Sequence, residues 1–514
     1  MTPKAWQLPP MVAVCLLACD PSSTDAQAES PIGGAPAAPA AAPVLQEHLA
    51  TFAGAGTGKT EVADVVRVDG DRLYFLSEDR GLVVFDVTDI DHPREVGASP
   101  IAGSPAGVFV RGDFALIAVA DWDRQDGTVF HGSVLRSVDI ATPGTSGIRA
   151  EVALSGIIRD VHVIGQTVFV LWERAGSGTA DGPVAVLSAY RWSGDDLRET
   201  GEWTGRGADA ALAVGATRVV VARRAPGVSA IDLTFADVGS ETEPPLHQRG
   251  SLRFPGALPP GVEPQFAADD RHALVVVCRS TDCPAGSDVS IRVIDSQDAD
   301  HPSPVADLTL ADAGGPLLAV FDGKRLYLAD KKGYAHGDED SVVRVVDVSD
   351  PSRPRLETRI RVPGSVSSLV PIGAKVLAVG SGGTPETGVH VRVCEIDVAS
   401  GKVETSPASV DFGEDWTSTT AAAAGALAVD EGERWLAVPF GTWRRDLRRY
   451  ANGVELLRLT PRLARVRAAP ATGWVERVLF LKGRFVAVSS AGLSIVDPDA
   501  VQASPKESSL SKSM

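Results

Sequence analysis

The sequence predicts an all-β fold made by repeating one four-stranded unit, and three observations carry that prediction. Turn residues recur between pairs of short apolar runs at Gly70, Gly112, Gly165, Gly215, Asp269-Asp270, Gly323, Gly373, Gly432 and Gly483. From Gly70 to Gly483 the chain advances 413 residues in eight steps, about 52 each, close to the period of a propeller blade. A second marker, Asp-x-x-Asp-x-x-x-Pro, ends the third run of a unit at Asp86–Pro93, Asp295–Pro302 and Asp347–Pro354, with weaker forms after Asp139, Asp397 and Asp497. Its spacing agrees: 52 residues from Asp295 to Asp347, and 209, four such steps, from Asp86 to Asp295. Third, no stretch of ten or more residues between Gly54 and Ala500 keeps a helical apolar period.

Taken in chain order, residues 1–18 read as a lipoprotein signal peptide: Lys4 is a short basic n-region, Met11 to Ala18 an apolar stretch, and Leu16-Leu17-Ala18-Cys19 has the form of a lipobox. Small Ala18 suits a signal peptidase, and the Cys19 thiol is the group that takes the lipid. Residues 19–45 are rich in Pro, Ala, Ser and Gly, bury no core and read as a disordered tether. Residues 46–500 hold the repeats, and 501–514 read as a disordered tail. This places the protein outside the cytoplasm, anchored to a bacterial membrane by lipid alone.

One unit shows the pattern of all. Leu317 to Asp322, Arg325 to Ala329, Ser341 to Val348 and Leu356 to Pro363 are short Val-, Leu- and Ile-rich runs divided by turn residues. Such a unit exposes both edges and buries its faces only against neighbours, so the expected architecture is a single closed β-propeller. The last unit has three strands, from Val475 to Asp497, and His48 to Ala53 is the expected closing fourth. Eight or nine blades fit, because the third and fourth units are the least regular.

At the Asp-x-x-Asp-x-x-x-Pro residues the chain resembles bacterial secreted or lipid-anchored β-propellers with LVIVD-type repeats, distantly similar to WD-repeat proteins. Three units carry the resemblance, and the Gly-His and Trp-Asp pairs of WD repeats do not recur. The resemblance implies an extracytoplasmic propeller and transfers no catalytic residue. The motif itself reads as a turn device, its Asp side chains accepting backbone N–H groups. A row of calcium sites is the rival reading, although the final bidentate Glu of a calcium loop does not accompany it.

The formal charge is −17, and −18 once residues 1–18, which contain only Lys4, are removed. Such a surface repels phosphate backbones, and no nucleic-acid partner is expected. Ala53 to Thr60 fits a relaxed phosphate-loop pattern, but β-like sequence follows it where a helix is required, so no nucleotide is expected. Beyond the signal only Cys278, Cys283 and Cys394 remain. Cys278 and Cys283 are a disulfide candidate in an oxidising compartment; a metal pair would need a second set of ligands that the sequence lacks, and no metal or other cofactor is assigned.

No catalytic residue is assigned, because the His residues stand singly and no Gly-x-Ser-x-Gly elbow occurs. The informative segments are the long connections between second and third strands: Asp121 to Gly132, Arg174 to Pro183, Arg279 to Asp288, Lys331 to Asp340 and Thr442 to Gly453. These emerge on one face, where binding residues concentrate. Partner-binding candidates are Asp121, Trp122 and Asp123; Tyr334 and His336; and Trp443, Arg444, Arg445, Arg448, Arg449 and Tyr450. Four Arg between two aromatics suit a carboxylate, phosphate or protein partner, or else pair with acidic loops of adjacent blades. The expected function is a scaffold for an envelope protein or surface polymer. The alternative is a propeller hydrolase or lyase acting on an extracellular polymer.

Overall fold

The computed structural model describes residues 60–502 except 102, 121–131, 143–146, 175–181, 240–244, 261, 268–270, 281–282, 331–339, 383–389, 406–409, 412–425, 431, 433 and 445–448. These residues form nine antiparallel sheets, each built on a meander of strands consecutive in sequence, with one strand from the start of the chain added at the inner edge of the third. Blade one is Val66–Asp69, Arg72–Ser77, Gly81–Asp86 and Arg94–Ser99; blade six is Leu317–Phe321, Arg325–Asp330, Ser341–Asp347 and Arg355–Val362, close to the sequence expectation. The one helical element among the described residues is a 3₁₀ turn, Asp499–Gln502.

Burial follows the position of a strand in its blade. Central strands such as Phe114–Ala120 are buried on both faces and read as continuous apolar runs. Outer strands such as Arg355–Val362 alternate with solvent and carry the charges. Tight turns join first and second strands, and Gly70 sits there at φ 57°, the left-handed region where a Cβ is penalised.

Nine apolar clusters hold the ring, each spanning one boundary between successive blades. The cluster that decides closure joins Leu73, Phe75, Val83 and Phe85 of blade one to Val486 and Val488 of blade nine. Arg484 of blade nine adds an ion pair to Asp91 of blade one at 2.9 Å. The fold is therefore a closed nine-bladed β-propeller, which settles the count left at eight or nine. Blade nine shows three strands, Val475–Leu481, Arg484–Ser489 and Gly492–Val496. Residues 48–53, expected to supply the fourth, lie outside the described residues.

Two features differ from expectation. Thr60–Val62, at the start of the β-like sequence that leads into blade one, does not join that blade: it pairs antiparallel with the inner edge of blade three, Ile157–Ile164, setting Val62 opposite His162. The chain then crosses blade two, where Val108 N donates to Asp64 O at 2.8 Å, before entering blade one. Gly107 permits this crossing: a Cβ there would lie 2.6 Å from the Cβ of Ala63. Second, Thr442 to Gly453 is not a long loop. Trp435–Arg444 and Arg449–Arg458 continue as a hairpin in which Trp443 faces Tyr450 and Arg444 faces Arg449, with only 445–448 between them. Trp, Thr and Tyr favour the strand despite the surrounding charge.

Candidate functional site

In a meander blade the second-to-third connections and the blade-to-blade connections leave at one end, here called the upper face. First-to-second and third-to-fourth turns leave at the lower face. The two faces differ in how their carboxylates are satisfied.

On the lower face the repeated Asp residues cap their own turns. Asp86, Asp139, Asp295, Asp347, Asp397 and Asp497 each accept the backbone N–H two residues on, at 2.8–3.0 Å. Asp89, Asp298 and Asp350 do the same one turn later, at 3.1 Å. His92 and His301 close onto Asp89 and Asp298 at 3.0 Å. Bonds from Thr88 and then Arg94 hold the Asp86 carboxyl down to about 2, and Ser349 ahead of Arg355 does the same for Asp347. The motif also ties blades together: Arg249 of blade four grips Asp300 of blade five through two bonds of 2.6 and 2.7 Å.

The upper face is different. The inner strands begin there, and charged residues stand at or near their starts: Asp64 before blade one, Arg159 and Asp160 in blade three, Asp209 in blade four, Glu263 before blade five, and Glu476 and Arg477 in blade nine. Some are paired. Arg477 meets Asp64 at 3.0 Å across the closing seam, Arg159 meets Glu173 at 2.9 Å, and Arg224 meets Asp209 at 2.9 Å. Asp160 Oδ2 lies 2.7 Å from His162 Nε2, and both residues are buried.

Glu263 and Glu476, both partly buried, have neither a hydrogen bond nor an ion pair among the described residues. Glu263 is carried by the Pro-rich connection between Gly256 and Gln265, which reaches inward ahead of a first strand of only two residues, Gln265–Phe266. It is partly buried, and burial, and then the charge of Asp160 in blade three, pushes its carboxyl well up. Glu476 is half-buried and raised to about 7, chiefly by burial and, against the pull of Arg477, by the acidic turn Glu78-Asp79 of blade one.

The candidates named from sequence fall as follows. Asp121, Trp122, Asp123, Tyr334, His336, Arg445 and Arg448 lie outside the described residues. Trp443, Arg444, Arg449 and Tyr450 lie on the blade-eight hairpin. Cys278 and Cys283 are joined by a disulfide, Cα atoms 5.3 Å apart, across blade five's upper connection. Cys394 is buried between blades six and seven. Thr60, which ends the phosphate-loop-like segment, opens a strand, not a helix. Among the described residues no group of three His, Cys, Asp or Glu is placed to hold a metal ion, and no helix is long and apolar enough to cross a membrane.

Sequence reasoning missed Asp160, His162, Glu263 and Glu476. They are spread over up to 316 positions, and no motif links them. The available signals were Asp-x-His interrupting an apolar inner strand and a lone Glu in a Pro-rich connection.

The sequence pattern of the LVIVD repeat matches residues 323–361, which run from the first turn of blade six into its outer strand. This propeller carries an LVIVD repeat. No curated protein matches the propeller's sequence. Among solved structures, BamB from Moraxella catarrhalis aligns over 76% of the LVIVD-repeat propeller and 94% of its own chain, with 14% identity and TM-score 0.39. A functionally unknown protein from Desulfotomaculum acetoxidans DSM 771 aligns over 71% and 96%, with 13% identity and TM-score 0.35. The β-propeller domain of the Trilobed protease from Pyrococcus furiosus aligns over 64% and 89%, with 10% identity and TM-score 0.32. The blade count and closure of this LVIVD-repeat propeller rest on its own strand pairing.

Proposed function

We propose that this protein is a lipid-anchored propeller of the bacterial cell envelope whose upper face docks an envelope protein or a surface polymer. The supporting observation is the contrast between faces. The repeated Asp residues of the lower face are engaged by turn N–H groups and by arginines, whereas Glu263 and Glu476, both partly buried, have no hydrogen-bond donor among the described residues. Polar groups left without partners mark a surface completed by something else. Cys19 supplies the lipid anchor in this reading, and Arg444 and Arg449, paired where the second and third strands of blade eight meet their connection, add positive charge to the same end.

The alternative, an enzyme on an extracellular polymer, draws on the Asp160–His162 pair, since a carboxylate-oriented His is a common general base. Against it, no hydroxyl or thiol among the described residues bonds the other ring nitrogen of His162.

A face-swap experiment tests the docking reading. Purified wild type, an upper-face variant (Glu476→Lys with Arg444→Ala and Arg449→Ala) and a lower-face variant (Arg94→Ala with Arg355→Ala) are crosslinked in envelope extracts. Adducts that vanish only in the upper-face variant are expected; equal labelling of all three rejects the assignment. Cys19→Ala is expected to move the protein from the membrane to the soluble fraction, and retention at the membrane rejects the anchor.

A further inference from the structure

We propose that the groove along the outer strands of blades three and four binds a sugar acid, its carboxylate taken by Arg223 and Arg253 and its hydroxyls by Thr204, Thr234 and Ser251. The inference goes beyond the docking reading and does not depend on it, because the groove follows the outer strands and not the upper face.

The groove has a volume of about 420 Å³, within the range of small-ligand sites, roughly 300–1,000 Å³. One wall is the outer strand of blade three, Leu197–Arg206, with Trp203 and Thr204. The other is blade four, which contributes Arg223 from its second strand, Asp232 and Thr234 from its third, and Ser251 and Arg253 from its outer strand. The inner strands on the same boundary meet through apolar side chains, among them Phe169, Leu171 and Leu212. A polar surface is thus set into the outer part of a boundary whose inner part is closed by hydrophobic packing.

The charges lining the groove do not balance. Arg253 grips Asp232 through Nε at 2.5 Å and Nη2 at 2.9 Å, and Arg223 Nη2 reaches the same carboxylate at 3.2 Å. Two guanidinium groups share one carboxylate, which leaves a positive charge in excess on a protein of net charge −17. The Arg253 side chain is 62% exposed, and its Nη1 has no hydrogen bond among the described residues. Arg223 is fixed from the other wall: it lies over the Trp203 ring, 5.7 Å from the centroid, and donates through Nη1 to the Arg206 carbonyl. Gly205 makes room for that stacking, since a Cβ there would lie 2.5 Å from the Trp203 ring and 2.7 Å from Arg223 Nε.

Guanidinium groups held in place match a planar carboxylate. The hydroxyls of Thr204, Thr234 and Ser251 both donate and accept, which suits the hydroxyls of a sugar ring. An inorganic anion would leave most of the groove unfilled, and an apolar acid would leave those hydroxyls unmatched.

The sugar acid could be free or part of a polymer, and the test separates the two. Calorimetric titration of the full-length protein at about pH 7 and low salt uses galacturonate, galactose, inorganic phosphate and trigalacturonate. Galacturonate is expected to bind, with galactose and phosphate at least tenfold weaker, because the first lacks the charge and the second the hydroxylated ring. Arg253→Gln removes the excess charge while Arg223 still serves Asp232, and should weaken galacturonate at least tenfold with the fold intact by circular dichroism. Ser251→Ala, at an exposed position, should weaken it several-fold and serves if Arg253→Gln folds poorly. Arg355→Gln, which removes an arginine paired with Asp347 on the lower face, should leave binding unchanged. Trigalacturonate binding at least as tight as galacturonate identifies a polymer as the source; its exclusion identifies the free acid. No binding of galacturonate, equal binding of galactose or phosphate, full affinity in folded Arg253→Gln, or, where that variant does not fold, full affinity in Ser251→Ala overturns the site.

Discussion

Replacing Glu476 by Gln should stabilise the protein at alkaline pH and leave it nearly unchanged in mild acid. Glu476 is the second residue of the inner strand of blade nine, beside the seam where Arg477 meets Asp64. Burial, with the Glu78-Asp79 turn adding like charge, raises its carboxyl from an ordinary 4.5 to about 7. The sign follows from proton counting. Below pH 4.5 folded and unfolded chains both carry the proton, and the stability is fully present. Between 4.5 and 7 the unfolded chain has released the proton and the folded chain has not, so stability falls as pH rises. At about 1.4 kcal/mol per pH unit the fall amounts to roughly 3 kcal/mol and is complete above pH 7. Gln resembles the protonated acid and cannot ionise. Urea midpoints of wild type and Glu476→Gln should therefore converge near pH 4.5 and separate by up to about 3 kcal/mol at pH 8, with the variant the more stable. A gap independent of pH, or a wild type more stable at pH 8, would refute the reasoning.

Arg477→Ala should cost about 3 kcal/mol in thermal or urea unfolding, because it leaves Asp64 without its partner at the closing seam. Arg477→Lys should recover part of that. Gly107→Val should push Ala63 off blade two at a cost of about 1–3 kcal/mol. Hydrogen exchange reads it: amides of Thr60–Val62 and of the inner edge of blade three should lose protection while blade six stays unchanged. Cys278→Ser should cost about 2 kcal/mol by opening a five-residue separation on the upper face, and reducing the wild type should match it.

The repeat was legible in the sequence because its determinants are local. Each blade writes its own turn: Asp347 bonds the N–H of Ser349, Asp350 that of Ser352, and Arg355 returns to Asp347, all within nine residues. Alternation in the outer strands and unbroken apolar runs in the central ones are equally local. The count was harder, because blade four replaces the Asp-Pro turn by a longer one that ends at Gln248, and blade five has an inner strand of two residues. Pairing of Thr60–Val62 with Ile157–Ile164 was not legible at all. It depends on a strand edge about 100 residues away that only the assembled ring presents. The hairpin at Trp443 and Tyr450 was hidden for another reason: four arginines made a paired segment look like a polar loop.

The same physics explains why Glu263 and Glu476 escaped notice. A carboxylate announces itself in sequence when its donors are nearby, as in Asp86-Val87-Thr88, where the N–H that lowers its pKa lies two positions on. Glu263 and Glu476 have no such neighbour, and their pKa values move in the opposite direction. Acidic residues thus serve two purposes in one ring. Where N–H groups and arginines point at them they hold turns and join blades. Where the inner strands begin, partial burial without donors leaves acceptors that destabilise the folded chain as they ionise. Substitution of a capping Asp on the lower face should accordingly lower stability through the turn it holds, whereas neutralising Glu476 should raise it once the carboxyl would ionise.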